Sequence, residues 1–130
     1  MRFGIVASVF GFLGVALGAF GAHALKRTAS VADLAIWETA VKYQLIHAVV
    51  LLWIASLTRQ LQVSGTEAGL APLQWAGWSF TAGVVIFSGS LYVLVLSGVR
   101  KLGMVTPIGG LAMLAGWVAL GIAWSRSAVQ

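Results

Sequence analysis

The sequence predicts an all-α polytopic membrane protein, a four-transmembrane-helix bundle forming a single domain over residues 1–130. Three observations predict it. Phe3 to Leu25 is a run of 23 residues without a charge, closed by Lys26 and Arg27, and about 20 apolar residues suffice for a helix to cross the hydrocarbon core. Three further charge-free apolar runs follow. With 60% hydrophobic and 8% charged residues, the composition lies far outside that of soluble globular domains.

The first helix is expected at about 3–25. Met1-Arg2 followed by an apolar run ending in Ala22-His23-Ala24 imitates a signal peptide, but the run exceeds the usual length of a signal core. A retained helix is the expectation. Gly11, Gly14, Gly18 and Gly21 recur at intervals of three, four and three, which puts them on one stripe for close approach of a neighbouring helix.

The second helix is expected at about 31–58. Ser30 and Asp33 have the spacing of a capping box, and Glu38 and Lys42 form an acid-first i,i+4 pair. Its charge-free part, Tyr43–Thr58, is short for a span, so the helix should begin in the interface and let Lys42 snorkel outward. Residues 59–71 read as an extended polar connection, with Pro72 in the first turn of the third helix, expected at about 73–97. Arg100 to Gly103 reads as a tight turn. Thr106-Pro107 gives a hydroxyl N-cap followed by proline at the first helical position, and the fourth helix is expected at about 107–124. Trp53, Trp75, Trp78 and Trp124 fall near helix ends, as interfacial anchors do, and Trp37 is placed with them. Trp117 is expected inside the bundle.

Four spans put both termini on one side. Lys26, Arg27, Lys42, Arg100 and Lys101 lie on the side of the two short connections, against Arg2, Arg59 and Arg126 on the other. The positive-inside rule then expects connections 1–2 and 3–4 in the cytoplasm and the termini in the periplasm. The formal charge of +5 is read as basic flanks meeting lipid headgroups, not as a nucleic-acid surface, because no run of Lys or Arg exceeds two. There is no cysteine, which excludes disulfides, thiol catalysis and thiolate metal sites.

Few residues could carry chemistry. Tyr43, Gln44 and His47 share a helical face with Ala40, away from Glu38 and Lys42. A polar face at that depth must turn toward other helices or a wet cavity. Hydrogen bonding across the bundle is the main reading. His23, at the end of the first helix, could join His47 around a haem iron, but two imidazoles alone make a poor metal site, and no metal site is predicted. Proton-coupled transport by a small dimer is a third reading, weakened by the lack of a carboxylate within helices 1, 3 and 4. Ser88 and Tyr92 lie one turn apart in Phe87-Ser-Gly-Ser-Leu-Tyr92, where Gly89 suggests close helix packing. No GxSxG elbow is present, and no catalytic residues are predicted.

Gly18-Ala-Phe-Gly-Ala-His-Ala-Leu25, Trp37-Glu-Thr-Ala-Val-Lys-Tyr-Gln-Leu-Ile-His-Ala48, Phe87-Ser-Gly-Ser-Leu-Tyr92, and Thr106-Pro-Ile-Gly-Gly110 through Trp117 together resemble the YgdD-like family. Its members are small bacterial inner-membrane proteins of uncharacterised function, with counterparts in animal mitochondria. The resemblance covers about Gly4 to Trp117. It implies a four-helix membrane fold and unites His23, Tyr43, Gln44, His47, Ser88, Tyr92, Thr106 and Pro107 in one signature. The function expected is a non-enzymatic accessory or scaffolding role, against another membrane protein or in a homo-oligomer. A haem, quinone or lipid site around His23, Tyr43, Gln44 and His47 is the alternative.

Overall fold

A computed structural model describes residues 2–127. The elements are α1 (Arg2–His23), α2 (Val31–Val63), α3 (Leu70–Ser97) and α4 (Thr106–Ser127), with short 3-10 turns at Leu25–Arg27 and Arg100–Met104. All four helices are long and apolar enough to cross a membrane, and no strand occurs among the described residues. The central pair is α2 and α3, with α1 flanking α2 and α4 flanking α3.

One seam organises the packing. On α2, Trp37, Ala40, Gln44, His47, Leu51, Ile54, Thr58 and Leu61 recur at alternating steps of three and four, and all are buried. That spacing keeps a single stripe facing its neighbours for more than six turns. Leu51 and Ile54 meet Phe3, Leu73, Ala76, Phe80 and Met113 in the core.

The bounds differ from expectation at the longer connection. Helix α2 runs on through Arg59–Val63, and α3 begins at Leu70, so the connection is only about 64–69. A charge interrupts a hydropathy run without interrupting a helix, and Leu61 still packs on the core. At 33 residues and 1.5 Å per residue, α2 is about 50 Å long and extends beyond a hydrocarbon core of about 30 Å. Ser64 N donates back to the Gln60 carbonyl, and Gly65 and Gly69 take positive φ at the turn, a conformation glycine adopts without a Cβ penalty.

At the other end, the Asp33 amide donates to Ser30 Oγ at 3.1 Å, and Ser30 Oγ donates to the Asp33 carboxylate at 2.8 Å. Asp33 also accepts from Arg100 at 2.7 Å, tying the start of α2 to the connection between α3 and α4. An exposed pair of this kind contributes little. Asp33→Asn, which keeps an N-capping oxygen nearby, should leave the thermal unfolding transition in detergent unchanged, as should Arg100→Gln.

Thr106 does not act as the expected hydroxyl cap. It lies within α4, and its hydroxyl pairs with Ser90 Oγ at 2.8 Å across the α3–α4 contact. Pro107 still sits in the first turn, where its missing N–H leaves no intrahelical bond unmade. The tryptophans divide by face. Trp75, Trp78 and Trp124 are exposed near helix ends, whereas Trp53, also exposed, lies ten residues before the end of α2 with its ring 6.0 Å from that of Trp124. Trp37 is not an anchor: it is 1% exposed, on the α2 seam. Trp117 is not enclosed either. Its ring meets Phe80 edge-on at 5.3 Å, but nearly half of it faces outward.

Candidate functional site: a polar ladder between α1, α2 and α3

The polar side chains of the spans form rungs between helices. Trp37 Nε1 donates to the Leu17 carbonyl of α1 at 2.8 Å. Seven residues on, Gln44 Nε2 donates to the Phe10 carbonyl of α1, also at 2.8 Å, while Tyr92 OH of α3 donates to Gln44 Oε1 at 2.8 Å. Ser88 Oγ of α3 donates to the Ala40 carbonyl at 2.8 Å. Gln44 therefore joins three helices through one 4%-exposed amide. The rings of Trp37 and Tyr92 lie 4.7 Å apart and close the ladder on its upper side. In hydrocarbon these groups have no water to turn to, so each must find its partner within the protein.

Glycine and alanine make the rungs reachable. A Cβ at Gly21 would lie 2.6 Å from Trp37 Cδ1, and one at Gly14 would lie 2.6 Å from Leu45 Cδ2; one at Gly18 would touch Val41 at 3.4 Å. These three carry the α1–α2 approach. Gly11 and Gly89 do not take part, since nothing lies within 4 Å of a Cβ at either. At Gly11 the two helices leave an open cleft, and Gly89 sits on a face of α3 that no other helix covers.

The six residues singled out from the sequence separate into groups. Gln44, Ser88 and Tyr92 are brought together. Tyr43 is 39% exposed and lies on the flank, its ring 4.6 Å from Phe87. His47 is 4% exposed. Its Nδ1 donates to the Tyr43 carbonyl at 2.7 Å, and the ring sits among Phe80, Tyr43 and Trp117. Because the carbonyl can only accept, Nδ1 carries the proton, and Nε2 is left as a buried acceptor without a partner. His23 stands apart, exposed at the end of α1. Gly4 approaches Ala55, Gly14 approaches Leu45 and Gly18 approaches Val41, so His47 is level with about Phe12 and His23 with about Ile36. At 1.5 Å per residue the two imidazoles are about 17 Å apart along the bundle. They cannot share one iron. Among the described residues no three His, Cys, Asp or Glu side chains cluster around a possible metal position.

Two participants were not legible as site residues: Trp37 as an interhelical donor, and Ser90, the partner of Thr106. The signal for Trp37 is its place in the three-four spacing that continues through residue 61.

The family profile described as "Protein of unknown function (DUF423)" matches residues 17–110, the stretch containing the Trp37, Gln44, Ser88 and Tyr92 rungs. The chain belongs to this family. It is similar to the UPF0382 membrane protein SAB0533 of Staphylococcus aureus (strain bovine RF122 / ET3-1), at 42% identity over 92% of this chain and 91% of that one. It is also similar to YwdK of Bacillus subtilis (strain 168), at 38% identity over 92% of each chain. The inner membrane protein YgdD of Escherichia coli (strain K12) is 38% identical over 89% of this chain and 83% of its own length. The resemblance read from the four motifs is therefore correct. These DUF423 relatives carry names that describe membrane location and no activity. No solved structure matches the chain significantly.

Proposed function

We propose that this DUF423 protein is an accessory or scaffolding component of the bacterial inner membrane, without enzymatic activity of its own, that packs against another membrane protein or its own copies. One observation carries the reading: Trp37, Gln44, Ser88 and Tyr92 bond one another and backbone carbonyls, and the recess of about 180 Å³ beside Trp37 is lined by none of the other three. What they do is fix the relative positions of α1, α2 and α3. The outward faces are apolar, and Gly89 and Gly121 lie on them with nothing within 4 Å. Glycine gains nothing against lipid, whereas it lets an incoming helix approach closely.

The sidedness follows the basic residues. Both short connections lie at the Asp33–Arg100 end, with Lys26, Arg27 and Lys101, and that end faces the cytoplasm, leaving the termini in the periplasm.

A second reading, a haem, quinone or lipid site, draws on His47 Nε2, buried and unpartnered. A neutral His47 offers only an acceptor there, which suits an iron or a hydroxyl donor and not a quinone carbonyl. Purification from native membranes in mild detergent separates the readings. A stoichiometric partner or a discrete homo-oligomer, weakened by Gly89→Leu with the fold intact, is the expected result. A ligand-free monomer would contradict the scaffold, and a Soret band lost in His47→Ala would establish the second reading.

A further inference from the structure

From the middle of the bundle toward the end opposite Asp33, the face between α1 and α2 is not closed. A cleft of about 290 Å³ is lined by Ala7, Ser8 and Gly11 of α1 and by Leu45, Ala48 and Leu52 of α2. It meets a second recess of about 620 Å³ at Leu52, which continues past Gly4 and Ala55 to Ser56, Arg59 and Gln62. Gln62 also lines a third, smaller recess of about 260 Å³, with Arg2, Thr58, Gln74 and Trp78.

The chemistry changes along this path in one direction. The inner part is apolar: Ser8 donates its hydroxyl to the Gly4 carbonyl at 2.9 Å, so it presents no free donor. A Cβ at Gly11 would meet nothing within 4 Å, so the cleft there is open. The outer part carries two arginines and two glutamine amides. Neither guanidinium has a carboxylate or hydrogen-bond partner among the described residues, and Glu67, the side-chain carboxylate at this end, lines a different recess with Arg126. Thr58, 8% exposed, contributes a buried hydroxyl without a partner to the Arg2 recess. The third recess is held in shape by Phe3, whose ring packs where a Cβ of Gly77 would stand, 2.5 Å away, and meets Trp78 edge-on at 5.5 Å. From Leu45 to Arg59 the path covers about 21 Å at 1.5 Å per residue, more than the roughly 15 Å of one leaflet's hydrocarbon.

We propose that this α1–α2 cleft binds one anionic phospholipid, with an acyl chain along Gly11, Ala48 and Leu52 and its phosphate among Arg2, Arg59 and Gln62. The gradient from open apolar slot to unpaired cations at the headgroup level matches the polarity of such a lipid along its length. The site is separate from the Gln44 ladder and does not depend on the scaffold reading.

Native mass spectrometry of the full chain, with equimolar phosphatidylglycerol and phosphatidylcholine added in detergent, tests it. One phosphatidylglycerol should be retained in preference to phosphatidylcholine. Arg2→Gln and Arg59→Gln should each reduce that preference about fivefold, and Gly11→Leu should lower retention of both lipids by filling the slot. All three positions are outside the core, so melting temperatures should stay at the wild-type value; if Arg2→Gln alone perturbs folding, Arg59→Gln carries the comparison. Equal retention of the two lipids, or a preference unchanged in the arginine variants, overturns the proposal. Displacement of phosphatidylglycerol by millimolar inorganic phosphate, with Gly11→Leu binding normally, would also overturn it in favour of a free-phosphate site.

Discussion

Gly109→Leu is expected to separate α4 from α3 and to destabilise the protein by about 3 kcal/mol or more, the upper end for overpacking, because the obstacle is backbone. A Cβ at Gly109 would collide with the amide nitrogen and Cα of Phe87, and neither can rotate away. The crossing is tight from both sides: a Cβ at Gly83 would lie 2.5 Å from Met113 Cγ and 3.0 Å from the Gly109 carbonyl oxygen. Nearby, a Cβ at Gly116 would lie 2.8 Å from the Phe80 ring. Helicity should survive, since each helix satisfies its own backbone, while the unfolding transition in detergent drops or broadens. Gly121→Leu is the control. Nothing lies within 4 Å of that position, so the isolated chain should melt as the wild type does.

The second large effect is expected at Gln44. Gln44→Leu keeps the volume but removes the amide that holds the Phe10 carbonyl and the Tyr92 hydroxyl, leaving a phenol with no acceptor in a water-free interior. A loss of about 1–2 kcal/mol follows, combining an interhelical bond with an orphaned donor. Tyr92→Phe should lose less, and adding it to Gln44→Leu should cost almost nothing further, because the orphan is then gone. A double-mutant cycle measured by reversible unfolding in mixed micelles reads the coupling directly. Additive losses would mean that the two side chains do not share a bond.

The contrast between these positions explains what a sequence can reveal. Four charge-free runs are enough for four helices, because hydrocarbon leaves a chain few other ways to satisfy its backbone. The ends were less legible: Arg59, Gln60 and Gln62 look like a connection, yet they continue α2 because leaving the membrane does not break a helix. The inward turn of Gln44, Ser88 and Tyr92 was legible from polarity at depth. Trp37 lies close to the start of α2, where an interfacial anchor is expected, but its helical face assigns it to the seam. Register between helices was not legible at all, and so His23 and His47 looked close until the Gly14–Leu45 and Gly18–Val41 contacts set α1 against α2. Glycines raised the same difficulty. Gly14 and Gly109 are contact points and Gly11 and Gly89 are not, a difference that depends on which neighbour lies opposite.

The central claim is that four helices thread the bilayer and turn the α2 seam away from both lipid and water. The chain has no cysteine of its own, so single cysteines report their positions without background. Thr28→Cys and Gly103→Cys should react with a membrane-impermeant maleimide from one side of sealed vesicles, and Gly65→Cys only from the other. Ala40→Cys, at a fully buried position beside Ser88, should react from neither. Reaction of residues 28 and 103 from opposite sides, or ready labelling at position 40 in the intact membrane, would contradict the account.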